Sequence, residues 1–312
     1  MSNKPKVLLT GGRGMVGKNI LEHAAARNFD FISPTSADLD LRDFAKTQNY
    51  FSKNSPDFVI HTAGLVGGIQ ANMASPVDFL VENVDLGRNV IMASRSAGVK
   101  KLLNLSSSCI FPRNAENPLK EHLILKGELE PTNEGYALAK IFALRLCEYF
   151  HKEDASLQYK TFIPCNLYGR FDKFDPKHSH LIPAIIHKVH LAKINNQKTV
   201  EIWGDGTARR EFMYAGDLAD AILRAISNFE GTPDLMNVGL GFDYSINEYY
   251  EAVAKVVDWH GDFVHDLSRP VGMKQKLVSV ERQKKWGWSA ETSLEKGISE
   301  AYDFYLKVSN EF

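Results

Sequence analysis

A chain of 312 residues with a formal net charge of −1 has no basic excess to draw in nucleic acid by counterion release. Its length allows a large buried core, in one long domain or two lobes, and no apolar run approaches the roughly 20 residues that span a bilayer. Cys109, Cys147 and Cys165 are too few and too scattered for a disulfide frame or a metal site, and the N-terminal residues show no apolar leader, so a reducing cytoplasm is the expected location.

Lys6 to Thr10 is a short apolar strand, followed at once by Gly11-Gly12-Arg13-Gly14-Met15-Val16-Gly17 and an amphipathic helix to about Arg27. Gly11, Gly14 and Gly17 stand in G-x-x-G-x-x-G register between strand and helix. That pattern permits a tight turn and lets a pyrophosphate approach the helix N-terminus. The second strand is expected near Phe29 to Ser33. An acid at its end would bind the ribose 2′-hydroxyl of NAD. The chain reads Ser33-Pro34-Thr35-Ser36 instead, with no acid until Asp38. Arg13 is then the candidate partner of a 2′-phosphate, which favours NADP. Asp40-Leu41 follow, where the aspartate is placed to meet the adenine amine.

Phe58 to Gly64 reads as a strand ending in small residues, and Ala63 and Gly64 let a flat cofactor lie against the backbone. Val66 to Ile69 extends that loop towards the expected mouth of the site. Asn83 to Ala97 reads as a helix and Lys101 to Leu105 as a buried parallel strand. Ser106-Ser107-Ser108-Cys109 leaves that strand. Tyr136 and Lys140 share one helix face a turn apart. A lysine ammonium there is expected to lower the phenol's pKa, so that the phenol exchanges a proton with a sugar oxygen, and the Ser107 hydroxyl can bond the same oxygen.

The Tyr136 helix runs to about Lys152, and Tyr159 to Asn166 forms the next strand and its exit. The charged loop from Arg170 to His180 begins a second lobe. Leu181 to Ala192 reads as a helix, Val200 to Trp203 as a strand, and Asp217 to Ser227 as a helix. Asn237-Val238-Gly239 reads as a hairpin-like turn. A helix starts at Ser245, where Ser245 and Glu248 have capping-box spacing, so Glu248 is structural. The last helix starts near Ser293. Strands alternating with helices predict an α/β fold on a doubly wound parallel sheet.

Together these segments resemble the extended short-chain dehydrogenase/reductases over essentially the whole chain. Val66-Gly67-Gly68-Ile69, Ser107-Ser108-Cys109-Ile110, Leu129 to Glu134, Asn166-Leu167-Tyr168-Gly169, Ser179 to Ala184 and Arg210-Glu211-Phe212 are similar to the GDP-L-fucose synthase group. The resemblance implies a Rossmann domain over residues 1–165 with a returning segment near 205–240, and a smaller nucleotide-sugar lobe over 166–204 and 241–312. It implies that Cys109 and His180 exchange protons at C3 and C5 of a GDP-linked 4-keto-6-deoxy sugar. NADP(H) then serves reduction at C4: Tyr136 gives the proton, Ser107 orients the carbonyl, and Lys140 tunes Tyr136 and holds the nicotinamide ribose, so that Tyr136 and Lys140 also belong to the cofactor site. It further implies that Asn166, Arg210 and Lys276 hold the nucleotide-sugar, that Trp203 lines the guanine pocket, and that Lys188 stands where the group tends to carry arginine. Cys147 and Cys165 are expected in the core, and His178 lacks the match that His180 has.

A homodimer through the 83–97 helix and the Tyr136 helix is part of the same implication. Leu65, Ser36, Met73 and Ser279 depart from the group's pattern. Leu65 lies near the substrate mouth and keeps a 6-deoxyheptose or a colitose-type sugar open as the substrate. A pure C4 reductase and a non-catalytic NADP-binding scaffold are the competing readings of the same residues.

Overall fold

The computed structural model of the protein describes residues 4–175, 179–268 and 273–309, so His178 lies outside the described residues. The first strand, β1 (Lys6–Thr10), passes through the glycine loop into α1 (Met15–Glu22). That helix stops short of Arg27, because the His23 side chain accepts from the Ala25 N–H and starts a 3-10 turn, Ala24–Asn28. Next come β2 (Asp30–Ile32), α2 (Phe44–Asn54) and β3 (Phe58–His61). Asp43 caps α2 by accepting from the Lys46 N–H. After α3 (Ile69–Ala74), α4 (Pro76–Ser96) begins well before the expected Asn83. Pro76 fits its first turn, where no N–H partner is needed and φ is already helical.

The chain continues through β4 (Lys101–Leu105), α5 (Glu134–Glu153), β5 (Gln158–Pro164), β6 (Asn166–Tyr168) and α6 (Leu181–Ile194). Then follow β7 (Thr199–Trp203), β8 (Arg209–Arg210), β9 (Phe212–Tyr214), α7 (Ala215–Ser227) and β10 (Leu235–Val238). Last are β11 (Tyr244–Ser245), α8 (Ile246–Val257), β12 (Asp262–Asp266), β13 (Gln275–Lys276), α9 (Glu281–Lys285) and α10 (Leu294–Ser309). Ser245 and Glu248 form the expected capping box at the start of α8.

Six strands make one parallel sheet in the order β10-β5-β4-β3-β1-β2. Both faces are covered, and alternate residues serve opposite faces. Val7, Leu9, Ile60 and Leu103 join the core that includes Ile20 of α1 and Leu218 and Ile222 of α7. Leu8, Val59 and Leu102 join the core that includes Phe51 of α2, Val90 and Ile91 of α4, and Ala143 and Cys147 of α5. A third cluster gathers Ile182, Ile185 and Val189 of α6 with Tyr249 and Val253 of α8 and Ile298 of α10.

The reading of Asn237-Val238-Gly239 as a hairpin-like turn is corrected here. Leu235–Val238 is the sixth sheet strand, parallel to β5. Asn237 is fully buried, and its side-chain amide donates to the carbonyls of Leu119 at 2.9 Å and Ser279 at 3.0 Å. Among the described residues no helix is long and apolar enough to cross a membrane.

Candidate active site

A crevice forms at the carboxyl ends of β1 and β3, where the strand order reverses. Gly11 has φ +75°, and a Cβ there would stand 2.6 Å from the Ala63 nitrogen. A Cβ on Gly17 would stand 2.4 Å from the Gly11 carbonyl oxygen and 2.5 Å from Gly12 Cα. Loop and helix therefore meet backbone to backbone. Gly14 is the N-cap of α1 and brings no side-chain cap, and the first turn, with Met15 and Val16, carries no acid. A helix start with no side-chain cap and no acid in its first turn, reached through a glycine loop, fits the pyrophosphate of a dinucleotide.

The adenosine end differs from expectation in one respect. The Asp40 carboxylate is already held by Arg42, accepting from its backbone N–H at 3.0 Å and from Nε and Nη2 at 2.9 Å each. Those bonds keep Asp40 ionised down to about pH 2. An adenine amine would have to share a carboxylate that faces its own neighbour. Leu41 is buried, and its carbonyl accepts from Asn89 Nδ2 at 2.9 Å. Arg13 is exposed at the loop and acts electrostatically on Asp38. Asp38 in turn accepts from the Thr35 N–H at 2.9 Å and the Thr35 hydroxyl at 2.7 Å.

Gly64 leads from this crevice to the reactive cluster, since a Cβ on it would stand 3.5 Å from Lys140 Nζ. The loop beyond it is fixed by Asn83, which accepts from the Leu65 N–H at 3.0 Å and donates to the Leu65 carbonyl at 3.1 Å. Lys140 Nζ donates to the Leu105 carbonyl at 3.1 Å and sits 5.6 Å from the Tyr136 ring centroid. Burial lowers the Lys140 pKa to about 8.

Tyr136 corrects an expectation. Burial pushes its phenol well above the usual value, the neighbouring Cys109 adds to that, and a hydrogen bond with Ser107 opposes it. The phenol is a firmly protonated donor rather than one pre-ionised by Lys140. Ser107 is the N-cap of the 3-10 turn Ser108–Ile110, and its hydroxyl accepts from the Cys109 N–H at 3.4 Å. The Cys109 thiol is pushed up by burial, against the pull of Lys276, of Ser107 and of Lys140. His180 is the N-cap residue of α6; burial first, then Lys276 and Lys173, hold its imidazole neutral.

Lys276 is therefore the hub between the thiol and the imidazole. It lies on β13 opposite Arg210 of β8, and burial lowers its pKa. Asn166 Nδ2 donates to the Glu211 carbonyl at 3.0 Å, which ties β6 to the same strand pair. Trp203 and Lys188 make a second group around Glu201. Trp203, 47 % exposed, donates from Nε1 to Glu201 Oε1 at 2.9 Å, and Lys188 Nζ donates to the Glu201 carbonyl.

The sequence reading quoted Glu211 only within Arg210-Glu211-Phe212 and gave it no role of its own. Its side chain is 1 % exposed; one oxygen accepts from the N–H groups of Leu240 at 2.6 Å and Gly241 at 2.9 Å, the other from that of Val278 at 2.9 Å. Burial pushes its pKa up to about 7. The carboxylate staples the segment after Lys276 to the strand of Arg210. An acid flanked by a cation and an aromatic residue, Arg210 and Phe212, was the available signal. Among the described residues no three His, Cys, Asp or Glu side chains gather as a metal site.

Comparison with known proteins agrees with this geometry. The model of the NAD dependent epimerase/dehydratase family matches residues 7–239. GDP-L-colitose synthase of Yersinia pseudotuberculosis is 52 % identical, over 98 % of this chain and 99 % of its own. GDP-L-fucose synthase of Azorhizobium caulinodans is 51 % identical, over 98 % of each. The GDP-mannoheptose C4 reductase of Campylobacter jejuni, solved with NADP bound, superposes with a TM-score of 0.88 at 32 % identity, covering 98 % of this chain and 99 % of that one. By sequence, sheet order and crevice alike, the chain belongs to the NAD dependent epimerase/dehydratase family.

Proposed function

We propose that the protein is an oxidoreductase that epimerises a GDP-linked 4-keto-6-deoxy sugar at C3 and C5 and reduces it at C4 with NADPH, forming GDP-L-fucose. The reading is carried by the gathering of Ser107, Tyr136 and Lys140 about Cys109, with Lys276 acting on both Cys109 and His180, beside a glycine loop fit for a dinucleotide. Gly11, Gly12, Arg13, Gly14, Met15, Val16, Gly17, Leu41, Ala63 and Gly64 would hold NADP(H), which supplies the hydride when bound. Arg210, Lys276 and Asn166 would bind the diphosphate side of the sugar nucleotide through charge-assisted hydrogen bonds. Trp203 would line the base, with Lys188 behind it.

Hydrogens alpha to a ketone are acidic enough to exchange, and inversion needs one group on each face. Cys109 and His180 take these two parts: one removes the proton, the other returns one from the opposite side. Lys276 assists by favouring the thiolate and the neutral imidazole together. In the reduction Tyr136 hands its phenolic proton to O4, Ser107 donates a hydrogen bond to the same oxygen, and the Lys140 ammonium offsets the phenolate left behind. A protonated phenol is the form that this direction requires.

A second reading, a colitose-type 3,6-dideoxy sugar or a heptose, is favoured by Leu65 at the substrate mouth and by the names of two of the relatives above. We also take the protein to be a cytoplasmic homodimer that pairs α4 and α5 with their copies, and residues 1–165 to form the cofactor-binding domain. Incubation with GDP-4-keto-6-deoxymannose in deuterated water tests the central reading. Deuterium is expected at C3 and C5 before NADPH is added, and Cys109→Ser is expected to abolish it. A deuterium-free product with normal NADPH oxidation would leave a pure C4 reductase.

A further inference from the structure

The chain changes partners at Glu211. Arg209 and Arg210 of β8 pair with Gln275 and Lys276 of β13, whereas Phe212 to Tyr214 of β9 pair with Asn166 to Tyr168 of β6. The β8–β13 ladder therefore ends at the pair Arg210 and Lys276. Beyond that pair the strand of Lys276 still has backbone groups to satisfy. On one edge the Leu277 N–H donates to Asn117 Oδ1 at 2.8 Å. Leu119 donates to the Leu277 carbonyl and accepts from the Ser279 N–H, both at 2.8 Å. Alternate N–H groups point to opposite edges, so that of Val278 points the other way, where the neighbouring chain has turned off into β9. Val278 is 1 % exposed, and a buried N–H left unpaired is costly.

The Glu211 carboxylate takes the missing neighbour's place. Its Oε2 accepts from the Val278 N–H at 2.9 Å, while Oε1 accepts from Leu240 at 2.6 Å and Gly241 at 2.9 Å. Gly239 leaves room for it, since a Cβ there would stand 2.4 Å from Oε1. The Glu211 backbone carbonyl accepts from Asn166 Nδ2 at 3.0 Å. One residue thus adjoins Arg210 along the chain, Asn166 through its carbonyl, and the strand of Lys276 through its carboxylate. Burying a charge this deeply opposes its ionisation. What the carboxylate supplies in return is two acceptor oxygens for donors from two segments, where an amide side chain has one.

We propose that Glu211 is a positioning residue: by tying down the strand past its last ladder pair, its carboxylate holds Lys276 opposite Arg210, so that both cations reach the diphosphate of a nucleotide-sugar. The proposal rests on the reading of Arg210 and Lys276 as the diphosphate-binding cations. Glu211 meets no substrate in this role and acts through the placement of Lys276. In Glu211→Gln the one amide oxygen serves best where two donors converge, at Leu240 and Gly241. The amide nitrogen then meets the Val278 N–H donor to donor, and the tie to the strand of Lys276 is lost while the other is kept.

GDP is the probe, titrated into the full chain by calorimetry just above pH 7, where the carboxylate is mainly ionised, with NADPH affinity as the check on folding. Glu211→Gln is expected to weaken GDP about tenfold when introduced into wild type. Introduced into Lys276→Met it is expected to weaken GDP less than about twofold, because a lysine that is absent cannot be misplaced. Equal weakening in the two backgrounds is what a general loss of structure would give, and it overturns the proposal. So does unaltered GDP binding in Glu211→Gln beside a weakened Lys276→Met. Gln283→Ala removes two buried bonds to Gly239, of 2.8 and 3.0 Å, and leaves Val278 tied. It is expected to lower stability in urea and keep wild-type GDP affinity; a loss of GDP as large as that of Glu211→Gln would count against the proposal. Should Glu211→Gln lose NADPH affinity, Glu211→Asp, too short to reach both segments, takes its place in the same cycle and is read by the same outcomes. If Lys276→Met binds GDP like wild type, the reading of Lys276 fails and the proposal with it, an outcome distinct from the failure of Glu211 alone.

Discussion

Lys140 holds a proton that its surroundings make easy to lose. Burial brings its pKa from 10.5 to about 8, so the free protein carries the ammonium below that pH and sheds it above. A ligand that needs the charge binds fully on the acid side and loses affinity as pH rises through 8. We expect the Kd of NADPH to climb above pH 8 in wild type and to be weaker but flat with pH in Lys140→Met, as read by quenching of protein fluorescence. The same depression makes the fold gain stability between pH 8 and 10.5, where the unfolded chain binds more protons than the folded one. The four-residue spacing of Tyr136 and Lys140 was legible in the sequence, and so was their shared helix face. The direction of the phenol's shift was not, because it depends on how deeply Tyr136 is buried and on Cys109 and Ser107, which approach it from another element.

The glycine loop works because two backbones touch. Gly17→Ala puts a methyl group 2.4 Å from the Gly11 carbonyl oxygen, and neither side can swing away as a flexible side chain would. The expected cost is about 1–3 kcal/mol of stability, together with a loss of NADPH affinity through displacement of the loop. Urea unfolding and NADPH titration of the variant measure the two effects separately. This element was readable from spacing alone, since glycines between a strand and a helix answer to local geometry. Element α2 was not read, although Asp43 is a recognisable cap, and Pro76 gave an unused signal for the start of α4. The misreading of β10 has a different cause. Its four residues run straight into Gly239, and only their pairing with β5 makes them a strand. No local pattern carries that information.

At the scale of the molecule, α4 and α5 leave an apolar surface uncovered. Val77 and Val81 on α4, and Leu138, Phe142 and Tyr149 on α5, are all exposed. Patches of this kind mark contacts between chains. Phe142→Glu is therefore expected to give a monomer by sedimentation velocity at concentrations where wild type is a dimer, with NADPH affinity retained because the glycine crevice is untouched. A monomeric wild type would contradict the proposed pairing.

The late arrival of β10 shapes how the protein must be made. Translation delivers β1 to β5 first, and the outer edge of β5 then stays open until the codons for Leu235–Val238 have been read. An unpaired edge is a template for another nascent chain. Polysomes crowded on one message would hold many such edges close together, so slowing translation between Pro164 and Leu235 is expected to lower the yield of soluble protein.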